Sequence, residues 1–122
     1  MNLIIMKTVE EFDKNSNQFI TFYLGENAKD NDALFDQMSP DAFWIHLENF
    51  PSAHVYFELP KGKLAKKSKT KLIKFGGRLI KENSKYRKIQ GLKICYTRKK
   101  NLRKSDVLGE VEIVGDVGII RI

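Results

Sequence analysis

Lys71, Lys74, Arg78, Lys81 and Lys85 recur at steps of three and four, and the only acid among them is Glu82. On a helix that spacing aligns the five side chains along one side. One carboxylate cannot neutralise five cations, so the stripe is built to meet an outside anion or water. A side chain that reaches a phosphate forms a charge-assisted hydrogen bond and releases condensed counterions. Such contacts set affinity and position, not sequence preference. A second cluster follows in Thr97-Arg98-Lys99-Lys100-Asn101-Leu102-Arg103-Lys104, with a hydroxyl, an amide, three lysines and two arginines. Arginine holds a phosphate bidentately and lysine acts as a mobile point charge. A basic loop positioned by a preceding strand is the better contact site of the two. The competing reading of both clusters is a solvated, lysine-rich surface.

Other chemistry has thinner support. His46 and His54 are the only histidines and Cys95 the only cysteine. A zinc site needs three or four protein ligands, and nothing in this spacing demands one, so no metal and no cofactor are expected. There is no G-x-S-x-G and no Walker sequence, and the chain does not read as an enzyme. A metal-dependent nuclease using the two histidines stays as an alternative. Tyr56, Tyr86 and Tyr96 are candidates to stack on unpaired bases, whereas Tyr23, Trp44 and Phe57 read as core. A lone cysteine cannot close an internal disulfide and fits a reducing compartment.

The charge is unevenly distributed. The 122 residues sum to +7. Residues 1–60 are net −7 and residues 105–122 net −3, while residues 61–104 hold eighteen Lys and Arg against Glu82. Such a segment creates a field that attracts a polyanion. No apolar run reaches the roughly 20 residues that span a bilayer, and the start does not read as a signal peptide. The expectation is one cytoplasmic domain over residues 1–122 with no membrane segment.

The elements that position these residues follow from the patterning. Leu3–Met6 reads as a short strand or arm and Phe19–Leu24 as a strand. A short helix follows, capped near Asp30 and stopped by Ser39-Pro40. Phe43–Leu47 and Ala53–Leu59 form a hairpin, with Trp44 and His46 on one face of the first strand and His54, Tyr56 and Glu58 sharing a face of the second. One face of that hairpin is expected to be partly open. After a turn at Pro60–Lys63, residues 61–69 read as a loop or frayed helix start. Residues 71–83 show helical periodicity, with Leu72, Phe75 and Leu79 as the apolar stripe. Gly76-Gly77 inside it is weak for a helix but permits close approach to a sheet. Asn83 reads as a C-terminal cap, with Ser84 either capping or donating to phosphate. Leu92–Thr97 alternates as a strand, and Val107–Val114 and Val117–Ile122 read as two strands of a tight hairpin through Gly115-Asp116. The class is α+β, a mainly antiparallel sheet packed against a long basic amphipathic helix and a shorter helix.

Taken in order, several segments resemble the NFACT RNA-binding domain family. They are Tyr23-Leu24-Gly25 with Asn27–Asp32, Asp41–Leu47, Pro51–Tyr56, Lys81–Ser84, Tyr96-Thr97, and Asn101–Lys104 with Gly109 beyond. The resemblance runs from about Phe19 to about Ile120, and the last segment is most similar to the small stand-alone branch, the coiled-coil-domain-containing proteins. It marks Trp44, His46, Ser52, His54, Asn83, Ser84 and Tyr96 as family-pattern residues. It implies an α+β RNA-binding module without catalytic activity, associated with ribosomes, ribosomal RNA or tRNA in translation quality control. DNA binding and a protein-interaction role are the alternatives. The N-terminal domain and coiled coil of the ribosome quality-control factors have no counterpart in these 122 residues, nor does the charged C-terminal tail of the stand-alone branch. The expectation is therefore a simple binding module.

Overall fold

The structure, a computed structural model, describes residues 7–58 and 65–122. The expected arm at Leu3–Met6 and turn at Pro60–Lys63 lie outside the described residues. In chain order the elements are β1 (Lys7–Asp13), β2 (Gln18–Gly25), α1 (Ala28–Gln37), β3 (Phe43–Leu47), β4 (His54–Phe57), α2 (Lys66–Glu82), β5 (Lys93–Arg98), a 3-10 turn (Lys99–Asn101), β6 (Leu102–Lys104), β7 (Val111–Ile113) and β8 (Gly118–Arg121). Six strands make one antiparallel sheet in the order β1-β2-β4-β3-β5-β8, and β6 and β7 pair separately. The fold is α+β, as the patterning implies.

β1 was not expected as a strand, because adjacent Glu10 and Glu11 blur its alternation. Pairing along its whole length with β2 creates it. Asp13 fixes the turn by accepting from the amide and hydroxyl of Ser16 at 3.1 and 2.6 Å. Asn15 then donates to Ser68 at 2.7 Å, so the first turn of α2 sits at this end of the sheet.

α1 is capped by Asn27, not Asp30. The Asn27 side chain accepts from the Asp30 amide at 2.8 Å, and its own amide donates back to the Asp30 carboxylate at 3.1 Å. An Asn cap with an acid three residues on satisfies an orphan backbone donor and complements the helix dipole. α2 starts at Lys66, one turn before Lys71.

The sheet is covered on both faces. On one, Leu72, Ile73 and Ile80 of α2 pack over Phe22, Ile45, Val55, Phe57 and Ile94. Gly76 makes this approach possible, because a Cβ there would stand 2.3 Å from Ile45 Cδ1. On the other, Trp44, Tyr56 and Cys95 lie under Leu34 and Met38 beside α1's end and Leu102 of β6. The expected partly open face of the β3–β4 hairpin is closed over Tyr56, which is 0% exposed and so removed as a base-stacking residue, while His46 farther along it stays half-buried.

The hairpin expected from residues 107–122 does not form. β7 returns to β6 and β8 adds to the outer edge of β5. The tight turn predicted at Gly115-Asp116 instead spans two sheets. Asn101 donor and acceptor groups hold it: the Val114 amide bonds Asn101 O at 2.7 Å, and the Asn101 amide bonds Thr97 Oγ1 at 2.9 Å. β5 offers β8 an unpaired ladder, and Tyr96 packs where a side chain on Gly118 would have to stand.

Candidate nucleic-acid interface

The outer face of α2 carries exposed Lys71, Lys74 and Arg78. Lys67, four residues before Lys71, is exposed on the same stripe and extends it by one turn. The periodicity continues back to it, but the run of lysines from Lys61 hid the helix start. Among the described residues, no Asp or Glu carboxylate lies within ion-pair distance of any cation of α2. Lys81 differs from its neighbours: it is half-buried and donates to Ile122 O at 2.8 Å. Lys85 is exposed beyond the helix, its ammonium 5.4 Å from the Tyr86 ring centre, and Arg87 and Lys88 follow it, also exposed.

The segment 97–104 is not a free basic loop. It is a 3-10 turn leading into β6, and its cations are paired within the protein. Arg98 stacks over Phe43 at 4.9 Å and reaches Asp41, its Nη1 3.3 Å from the carbonyl and 3.9 Å from the carboxylate. Lys99 donates to Met38 O at 2.7 Å and lies over Phe35, while Lys100 stands 3.6 Å from Asp41. Arg103 meets Glu112 at 2.8 Å. Lys104 bridges Asp36 at 2.8 Å and Asp32 at 2.9 Å, and hydrogen bonds first to Asp36 and then to Asp32 raise its ammonium above the ordinary lysine value. Thr97 is buried, its hydroxyl donating to Asp116 O, and it accepts from Asn101.

The two clusters sit on opposite faces of the sheet. Lys99 and Lys104 touch α1, and Leu102 belongs to the core on α1's side. Arg98 is the exception, because Phe43 beneath it belongs to the core under α2.

The family-pattern residues build the frame. Trp44 donates from Nε1 to His54 Nδ1 at 3.1 Å, so that nitrogen carries a lone pair and not a proton. His46 Nδ1 lies 2.6 Å from Leu47 O, and since a carbonyl only accepts, the proton is on Nδ1. The His46 ring stacks on Trp44 at 5.4 Å and meets His54 edge-on at 4.7 Å. Burial lowers both histidines. For His54, burial first and the charge of His46 second bring the value to about 3. The two histidines therefore come together as the hairpin suggests, but as neutral packing partners. Among the described residues, no group of three or more His, Cys, Asp or Glu stands ready to hold a metal ion. Ser52 accepts from the Leu47 amide and donates to Ala53 O. Asn83 caps α2 by donating to Leu79 O at 2.7 Å while accepting from Lys7, and Ser84 donates to Lys81 O and accepts from the Tyr86 amide. Tyr96 packs on Gly118, and Tyr86 stacks against Phe50 at 4.7 Å.

Comparison with known proteins identifies the family and the fold. The family described as the NFACT protein RNA binding domain matches residues 8–121. Coiled-coil domain-containing protein 25 of Danio rerio and that of Mus musculus are each 31% identical over 106 residues, 83% of this chain and 47% of theirs. The homolog from Dictyostelium discoideum is 33% identical over 88 residues, 68% of this chain and 41% of its own. The chain thus spans about half the length of the curated relatives it matches. The C-terminal part of the fibronectin/fibrinogen-binding protein from Streptococcus suis shares the fold, with a TM-score of 0.70 and 20% identity over 98% of this chain and 47% of that one. Among the described residues, no helix is long and apolar enough to cross a membrane.

Proposed function

Because the chain belongs to the NFACT RNA-binding domain family and is an RNA-binding module of that type, we propose that it grips RNA by its phosphates through the outer face of α2. Lys67, Lys71, Lys74 and Arg78 are the primary contacts in this reading, with Lys85 just beyond the C-terminal end of the helix. The observation that carries it is the difference in pairing between the two basic segments. Among the described residues the cations of α2 have no Asp or Glu partner, and of the stripe Lys81 alone is tied down, to Ile122 O, whereas those of 98–104 are engaged by Asp41, Asp32, Asp36 and Glu112 or by a backbone carbonyl.

The start of α2 supports the same reading. Its first turn has no acid and no side-chain cap, yet holds Lys66 and Lys67. Lysines at the positive end of a helix dipole cost stability. A phosphate arriving there relieves that cost.

The family's association with stalled-ribosome rescue directs the target class toward structured RNA of the translation machinery, ribosomal RNA or tRNA. The test is a binding series with labelled tRNA, a ribosomal RNA hairpin and duplex DNA of matched length across salt concentrations. The triple variant Lys71→Gln/Lys74→Gln/Arg78→Gln should weaken tRNA binding at least about tenfold and flatten the salt dependence by two to three units of slope. The variant Arg103→Gln/Lys104→Gln should bind like the unaltered chain. An unchanged affinity in the triple variant overturns the α2 reading. Equal affinity for tRNA and duplex DNA overturns the target class.

A further inference from the structure

On the sheet face away from α2, a cleft of about 840 Å³ opens between the start of α1, the β3–β4 connection and the strands' flank at residues 107–119. Trp44, His46, His54 and Cys95 line its floor. Six large apolar side chains of its wall, Phe50, Val107, Leu108, Ile113, Val117 and Ile119, are each more than 40% exposed. Exposed apolar side chains gathered in one place mark a surface that another molecule covers. The wall is held in position at Gly109, where φ is +81° and a Cβ would stand 2.5 Å from Ala28 Cα.

The charge of the cleft is the reverse of the chain's. Among the described residues no lysine or arginine lines the cleft, while Glu26, Glu48 and Glu110 do. Oε2 of Glu48 is buried with no hydrogen-bond partner. A buried carboxylate oxygen without a donor is costly, and an incoming cationic donor would satisfy it. Three carboxylates with no cation also repel a phosphate backbone, so this is not where nucleic acid is drawn.

We infer that the cleft receives a peptide segment of a protein partner in which an apolar side chain stands beside a lysine or arginine. The apolar side chain covers the Leu108–Val117 wall and the cation meets Glu48. Because α2 covers the other face of the sheet, the segment and RNA bind together rather than in competition.

The full chain, immobilised and panned with a random dodecapeptide phage library, tests this. Enriched sequences should pair Leu, Ile, Val or Phe with Lys or Arg. The synthesised winner should shift amide resonances of residues 47–51 and 107–119 in the labelled protein. Leu108→Ser, at a side chain 59% exposed and therefore safe for folding, should weaken it at least tenfold, as should Glu48→Gln. The Lys71/Lys74/Arg78 triple variant should bind it unchanged, which separates this inference from the reading of α2. No enrichment, enrichment of acidic sequences, or a winner indifferent to Leu108→Ser overturns the proposal. So does guanosine 5′-monophosphate shifting the same resonances in place of the peptide, which would make the cleft a base pocket.

Discussion

Trp44 and His54, on adjacent strands, are joined by an indole N–H donating to an imidazole Nδ1 across 3.1 Å. Protonating that nitrogen destroys the acceptor and places a charge beside His46 in a buried setting. The folded value of His54, about 3, therefore lies below the 6.5 of an unhindered histidine. The unfolded chain binds the extra proton between those values, so the contribution to stability is complete above about pH 6.5 and is lost as pH falls toward 3. Urea midpoints should show a loss of about 1 kcal/mol per pH unit between pH 6 and 4. In His54→Asn, an oxygen replaces Nδ1 as acceptor and cannot take up the proton, so the slope should be shallower. Parallel slopes in both chains would assign the acid sensitivity elsewhere.

Gly76→Ala separates helix propensity from packing. In an exposed helix the change gains about 1 kcal/mol. Here the new Cβ meets Ile45 Cδ1 at 2.3 Å in the core, and overpacking of that kind costs about 1–3 kcal/mol. The expected net effect is destabilisation. Gly77→Ala meets nothing nearer than Ile122 Cγ1 at 3.1 Å, on a half-buried residue able to shift, with Ile94 Cγ1 at an ordinary 3.4 Å, and should be near neutral. Denaturant unfolding of the two variants side by side reads the contrast, and equal effects would contradict it.

Tyr56→Phe should leave stability unchanged or raise it. The Tyr56 hydroxyl is buried with no partner, and burial pushes its ionisation well above the ordinary tyrosine value. An unsatisfied buried hydroxyl costs about 1–3 kcal/mol, while the ring and its packing against Leu34 and Trp44 remain. A clear drop in melting temperature would reveal a partner for that hydroxyl.

Cys95 should resist thiol reagents while the chain is folded. It is 6% exposed, and burial first, then the charge of Glu48, push its thiol up to about 11. At pH 8 the thiolate fraction is then more than about 100-fold below that of an ordinary cysteine. Reaction with a chromogenic disulfide should be slow in buffer and complete in urea. Rapid reaction in buffer would show the cleft floor to be open.

The sequence was most legible where one face met water. The stripe of α2 and the His46–His54 side of the hairpin both follow from spacing, because the unlike residues face unlike surroundings. Long-range pairing was less legible. Val107–Ile122 alternates well enough for two strands, but alternation does not say which edge each strand joins, and β5 and β6 claim one each. The pairing of the basic segment 98–104 was hidden in another way. Its partners, Asp32, Asp36 and Asp41, stand some sixty residues earlier in an acidic region. A count along the chain cannot show that folding sets acids against this segment while no Asp or Glu stands against the cations of α2 among the described residues.

The order of the six strands has a consequence for crowded solutions. β1 and β8 end the sheet among the described residues, and a flat apolar edge at either place would be a template for stacking one copy on the next. β1 instead presents Lys7, Glu10 and Glu11 along its length, and β8 is four residues long with Arg121 folded back onto Gly91 O. Each edge is thereby guarded against open-ended growth into fibrils.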